Sequence, residues 1–122
     1  MERKPAQKFQ DLEVWQKAHA LVLAIYRLTA GYPKHEMFGL SSQMRRAAVS
    51  VPANIAEGFK KKGPADKARI LNIAAGSLEE LRYYIILSTD LGYLTKRSEA
   101  DAAEEVARML STYSRTILNS IS

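Results

Sequence analysis

The chain has 122 residues, with 18 Lys and Arg against 13 Asp and Glu, two His and no Cys. That is one domain's length, enough to bury about two thirds of the unfolded surface in a single core without disulfide or metal staples. The missing cysteines exclude disulfides and thiolate metal sites. No apolar run reaches the roughly 18 residues of a membrane span, and the N-terminus has no signal-peptide core, so a cytosolic protein is expected.

Residues 1–10 are polar and basic and contain Pro5, which predicts a flexible basic tail. The bundle proper is expected over 11–122. Asp11 is placed to cap a first helix from Leu12. There Leu12, Trp15, Ala18, Val22, Ile25 and Leu28 recur at three- and four-residue steps. Gly31 with Tyr32-Pro33 stops that helix.

A second helix begins near Leu40, with Ser41 or Ser42 as its cap, and runs to about Lys61. It carries Pro52 in its interior, which removes an amide donor and orphans the Ala48 carbonyl. Either the helix bends there or a new helix starts at the proline. Ser50 and Asn54 are the side chains placed to serve the freed backbone.

Gly63-Pro64 opens a third helix. Its expected seam is Ile70, Ile73, Ala74, Ser77, Leu78, Leu81, Ile85, Ser88 and Leu91, ending at Gly92. Ser98 is placed to cap a fourth helix whose inner face is Val106, Met109, Leu110, Tyr113, Ile117 and Ile121. Four long amphipathic stretches, short loops and no strand pattern predict an all-α fold, an antiparallel up-down-up-down four-helix bundle.

The region 38–63 carries the functional signal. Arg46, Ser50, Asn54 and Glu57 fall at four-, four- and three-residue steps and form a polar row on one helix face. From Leu40 to Gly63 there are five cations, Arg45, Arg46, Lys60, Lys61 and Lys62, against the single acid Glu57. This stretch holds four of the five net positive charges, the footprint expected for an anionic partner such as RNA. Lys67 and Arg69 extend the basic run into the third helix. The row also has a purely structural reading: Arg46 pairing with Glu79 or Glu80, and Ser50, Asn54 and Glu57 bonding internally. Arg45 and Arg46 point about 100° apart, so one of the two is left for a partner. Gly76 lies inside the third helix, where glycine costs about 1 kcal/mol against Ala. That suggests close backbone approach, by the second helix or by another subunit. Tyr83, Tyr84, Tyr93 and Phe59 are expected to pack in the core or at the helix rims, with interface or base-stacking roles as the alternative.

Catalysis finds little support. His19 and His35 have no partner by spacing, and there is no HExxH, CxxC, Glu-x-x-His or P-loop motif. No cofactor and no metal are expected.

Three segments resemble a known family: F-x-D-L-x-V-W-Q-K-A at 9–18, F-G-L-x-x-Q-M-R-R-A-A-V-S-V-x-x-N-I-A-E-G at 38–58 and I-A-x-G-S-L-x-E-L at 73–81. They resemble the four-helix-bundle proteins encoded in intervening sequences of bacterial 23S ribosomal RNA genes, from Phe9 to about Leu94. That family is in turn similar to the accessory variability protein of diversity-generating retroelements. The resemblance implies a homopentameric ring with a nucleic-acid-attracting surface and no established enzymatic activity. The expected function is therefore a non-enzymatic, oligomeric RNA-binding module. Its phosphate contacts are expected at Arg45, Arg46, Lys60, Lys61, Lys62, Lys67 and Arg69. The expected partners are RNA or an RNA–protein complex, and the alternative is a scaffold or an accessory subunit for a reverse transcriptase or other polymerase.

Overall fold

The computed structural model describes residues 5–120; the basic segment 1–4 and Ile121, expected on the inner face of the fourth helix, lie outside the described residues. Four long helices follow in order: α1 (Glu13–Ala30), α2 (Leu40–Lys60), α3 (Pro64–Asp90) and α4 (Ser98–Asn119). Two single-turn 3-10 segments precede α1 and α2, at Phe9–Asp11 and Lys34–Glu36, and there is no strand among the described residues. Each helix packs on the next and α1 packs on α4, which makes a four-helix bundle; the α2–α3 contact is the most extensive.

The core follows the helical period. Ala18, Leu21, Val22 and Ile25 of α1 meet Met44, Ala48, Val51 and Ile55 of α2. Leu71, Ala74, Leu78, Leu81 and Ile85 of α3, with Ala103, Val106 and Leu110 of α4, close it. Leu12, Trp15 and Leu28, and Met109, Tyr113 and Ile117, are packed at its margin. Ile73 and Leu91 depart from the expected seam and are about half exposed, at 47% and 49%. Ile73 on α3, and Leu91 just past its end, lie about 100° from the centre of the buried arc, too far round to reach α2 or α4. Gly76 is also exposed, and a Cβ there would meet nothing within 4 Å. Close approach of α2 is therefore not the reason for that glycine.

The termini correct several expected caps. Asp11 does not cap α1. Its carboxylate reaches back to the amides of Gln7 and Lys8, at 3.1 and 3.3 Å, and closes the first 3-10 turn. Phe9 and Gln10, assigned to the tail by sequence, belong to that turn, with the Phe9 ring edge-on to Trp15 at 5.2 Å. Neither Ser41 nor Ser42 caps α2; the helix has already begun at Leu40, whose amide is taken by Glu36 Oε1 at 3.3 Å. Ser98 is the first residue of α4 rather than its cap, and its hydroxyl donates to Glu99. Pro64 opens α3 as expected, and Gly92 ends it in the left-handed region at φ 82°.

Pro52 is buried inside a continuous α2, so no new helix starts there. The 31–39 and 91–97 connections meet at one end of the bundle. Tyr93 Oη donates to Glu36 Oε2 at 2.9 Å, which in turn steadies the Glu36 cap on Leu40. The 61–63 turn joins α2 to α3.

Candidate nucleic-acid interface

The polar row of α2 splits along its length. Ser50 and Ser77 share a hydrogen bond at 2.7 Å across the α2–α3 seam. The Asn54 amide donates to the Ser50 carbonyl at 2.7 Å and to its hydroxyl at 3.0 Å. Asn54 therefore serves the Ser50 carbonyl and not the Ala48 carbonyl freed by Pro52, and Ser50 spends its hydroxyl on α3. Arg46 and Glu57 stay outside this network. A four-residue step advances a side chain by about 40° around the helix, and a three-residue step returns it by about 60°. Arg46 and Glu57 therefore sit on the outer side of the row, and Ser50 and Asn54 on the inner side. Glu57 faces solvent with a long ion pair to Lys61 at 3.9 Å. Arg46 does not pair with either expected acid: Glu79 is held by Arg82 at 2.8 Å, and Glu80 accepts from Tyr84 Oη at 2.7 Å.

The seven candidate cations divide into tied and free. Arg45 is half-buried. Its Nε donates to Thr29 Oγ1 at 2.8 Å and its Nη2 to the Tyr26 carbonyl at 3.3 Å, with the guanidinium over the Tyr26 ring at 4.5 Å. Lys67 caps the end of α2: its Nζ donates to the carbonyls of Phe59 and Gly58 at 2.7 and 3.3 Å and lies over the Phe59 ring. A cation there offsets the negative end of the helix dipole. Arg69 pairs with Asp66 at 3.2 Å and Lys61 with Glu57, both near the surface, where such pairs contribute little. Arg46, Lys60 and Lys62 are exposed and have no partner among the described residues. Arg46 and Lys60 lie on the same outer side of α2, about 21 Å apart along its axis.

Sequence reasoning missed an aromatic and cationic groove between the second half of α1 and the first half of α2. It encloses about 850 Å³ and is lined by Tyr26, Lys34, Phe38, Arg45, Arg46 and Val49 among others, with no acid among the described residues of its walls. Phe38 is 93% exposed. The signal for it was its position just before Gly39, outside the apolar period of α2.

Of the other aromatics, Tyr84 is half-buried and bonded to Glu80, and Tyr83 is exposed on the outer face of α3. The hydrogen bond to the Glu36 carboxylate raises the pKa of Tyr93, and the one to Glu80 does the same for Tyr84, because each favours the neutral phenol. Burial raises the pKa of Tyr32 and of Tyr113. Tyr32 Oη is buried without a hydrogen-bond partner among the described residues; the Ser88 hydroxyl, whose influence opposes that shift, donates at 2.8 Å to the Tyr84 carbonyl.

His19 stacks on Trp15 at 5.0 Å, and His35 lies beside Tyr93 and Glu36 at the bundle end. No group of three or more potential metal ligands occurs among the described residues, and no helix is long and apolar enough to cross a membrane.

An all-helical four-helix bundle with a basic outer edge on α2 is the class of protein that fold and site define. The family model of the 23S rRNA-intervening sequence proteins matches residues 10–112, and the chain belongs to that family. No curated protein matches it. A solved structure from Bacteroides thetaiotaomicron VPI-5482, a protein of unknown function from the S23 ribosomal protein family, shares the fold. Its TM-score is 0.73 at 24% identity, over 84% of this chain and 95% of that one.

Proposed function

We propose that this protein is a non-enzymatic, oligomeric RNA-binding module built on an antiparallel up-down-up-down bundle. The short 61–63 turn and the meeting of the 31–39 and 91–97 connections support that topology. The observation that carries the RNA reading is the set of free cations, Arg46, Lys60 and Lys62, on the stretch 40–63, where five cations face a single acid. Mobile, solvated Lys and Arg give phosphate affinity that is salt-dependent and largely sequence-independent. The outer face of α3 supports self-association, with Ile73, Tyr83 and Ile86 exposed around Gly76. A pentameric ring would repeat the lysines of the 61–63 turn once per subunit and add avidity. The same apolar face suits the rival reading, a scaffold for a polymerase.

The test is anisotropy of a labelled 20-nucleotide RNA across a salt series, for the natural protein and an Arg46→Ser, Lys60→Ser, Lys62→Ser variant. The variant should keep its fold and lose affinity. The slope of log affinity against log salt should flatten by about 0.7 for each lost contact. No binding by the natural protein at low salt would leave the scaffold reading. Light scattering should give a multiple of 13.6 kDa, and a monomer throughout would remove the ring.

A further inference from the structure

We propose that the groove between α1 and α2 is a base-stacking site for single-stranded RNA, with Phe38 as its platform. The inference rests on the RNA reading above and assigns to it a second, non-electrostatic contact.

Phe38 shows nearly its whole ring to solvent, and Met37 beside it is 57% exposed. Exposing an aromatic ring forgoes the stabilisation its burial would give, and here a fixed loop holds it outward. The Lys34–Glu36 turn precedes it, Glu36 is fastened to Tyr93 and to the Leu40 amide, and Leu40 opens α2 immediately after Gly39. The ring is thus presented by a braced segment.

Behind Phe38 lies the groove of about 850 Å³, within the usual range of about 300–1,000 Å³ for small-ligand sites. Three cations line it, Lys34, Arg45 and Arg46, with the hydroxyls of Ser41 and Ser42 and no carboxylate among the described residues. The nearby Glu36 is turned away onto Tyr93. An excess of positive charge beside an exposed ring fits a ligand that is both anionic and flat. A nucleotide is that ligand: the base takes the ring and the phosphate takes the cation. The Arg45 guanidinium, 4.5 Å from the centre of the Tyr26 ring, adds a second planar group of the kind on which unstacked bases lie.

Continuity selects RNA over an acidic peptide. Arg46 belongs both to the groove and to the free cations of α2. A strand whose phosphates follow Arg46 toward Lys60 and Lys62 therefore enters or leaves over Phe38.

The experiment compares two labelled 20-mers, oligouridine RNA and an abasic ribose-phosphate chain of the same length. The natural protein should bind oligouridine more tightly than the abasic chain. Phe38→Ala should weaken oligouridine about 5- to 100-fold. It should leave the abasic affinity, the salt slope and the melting temperature unchanged, and Phe38→Tyr should restore binding. If Phe38→Ala binds oligouridine as the natural protein does while the Arg46, Lys60 and Lys62 variant fails, the stacking site falls and the RNA reading stands. A change in particle mass by light scattering in Phe38→Ala would make the groove a protein contact and overturn the proposal. Absence of binding to either 20-mer at low salt would remove both readings.

Discussion

Both ends of α2 carry cations and use them differently. At the first end, Arg45 is locked by Thr29 and the Tyr26 carbonyl, and it forms one wall of an aromatic groove whose braced rim carries Phe38. At the last end, Lys60 and Lys62 project into solvent, while Lys67 folds back from α3 to close the helix. A charge count treats all of these alike. The hydrogen bonds separate them: a tied cation contributes stability and fixed geometry, and a free one is available to an external anion. The first end is equipped for a shaped contact, the second for a diffuse one.

The largest expected effect that sharpens this contrast comes from the adjacent arginines. Arg45→Ala removes two charge-assisted hydrogen bonds and a cation–π contact, and should cost about 2–3 kcal/mol in denaturant titration. Arg46→Ala should change stability by less than about 0.5 kcal/mol and act on RNA affinity instead. Equal costs for the two would erase the division into tied and free. Next, Lys67→Ala uncaps α2 and should cost about 1–1.5 kcal/mol by the same measurement. If it left stability unchanged but flattened the salt slope for RNA, Lys67 would belong with the free cations.

The smallest effect concerns alkaline pH. Tyr32, Tyr84, Tyr93 and Tyr113 have pKa values raised above 10.0 on folding. Between the unfolded and folded values the native state holds more protons than the unfolded chain. Their contribution is therefore complete below about pH 10 and is lost as pH rises through the folded values. Denaturant midpoints should be level up to that pH and fall beyond it. Tyr32→Phe should shallow the fall, and at neutral pH it should be neutral or slightly stabilising because it deletes an unpartnered buried hydroxyl. A loss of more than about 1 kcal/mol at neutral pH would show that Tyr32 Oη has a partner.

Helix number, helix order and most of the core were legible in the sequence because the apolar period of 3.6 records which side of each helix is covered. Gly31, Pro64 and Gly92 marked ends for equally local reasons. The caps were less legible. Asp11 and Ser98 are good capping residues, yet a neighbouring turn engages one and Glu99 the other. The site was legible as a basic region and not as a surface. Arg45 is decided by Thr29, sixteen residues away, and Lys67 by carbonyls that come within reach only after the 61–63 turn. Phe38 falls outside the apolar period of α2, but its exposure is visible only in the packed loop, where little among the described residues covers its ring.

The brevity of the connection between α2 and α3 bears on how the chain folds. These two helices share the most extensive packing, and only residues 61–63 separate them. Closing so short a loop costs little chain entropy, and every contact along the pair is won by zipping outward from that turn. The α2–α3 hairpin is therefore the natural nucleus, with α1 and α4 condensing on it later. Truncating Ile55 or Ala74 would then show mainly as slower refolding, whereas truncating Val22 or Val106 would show mainly as faster unfolding.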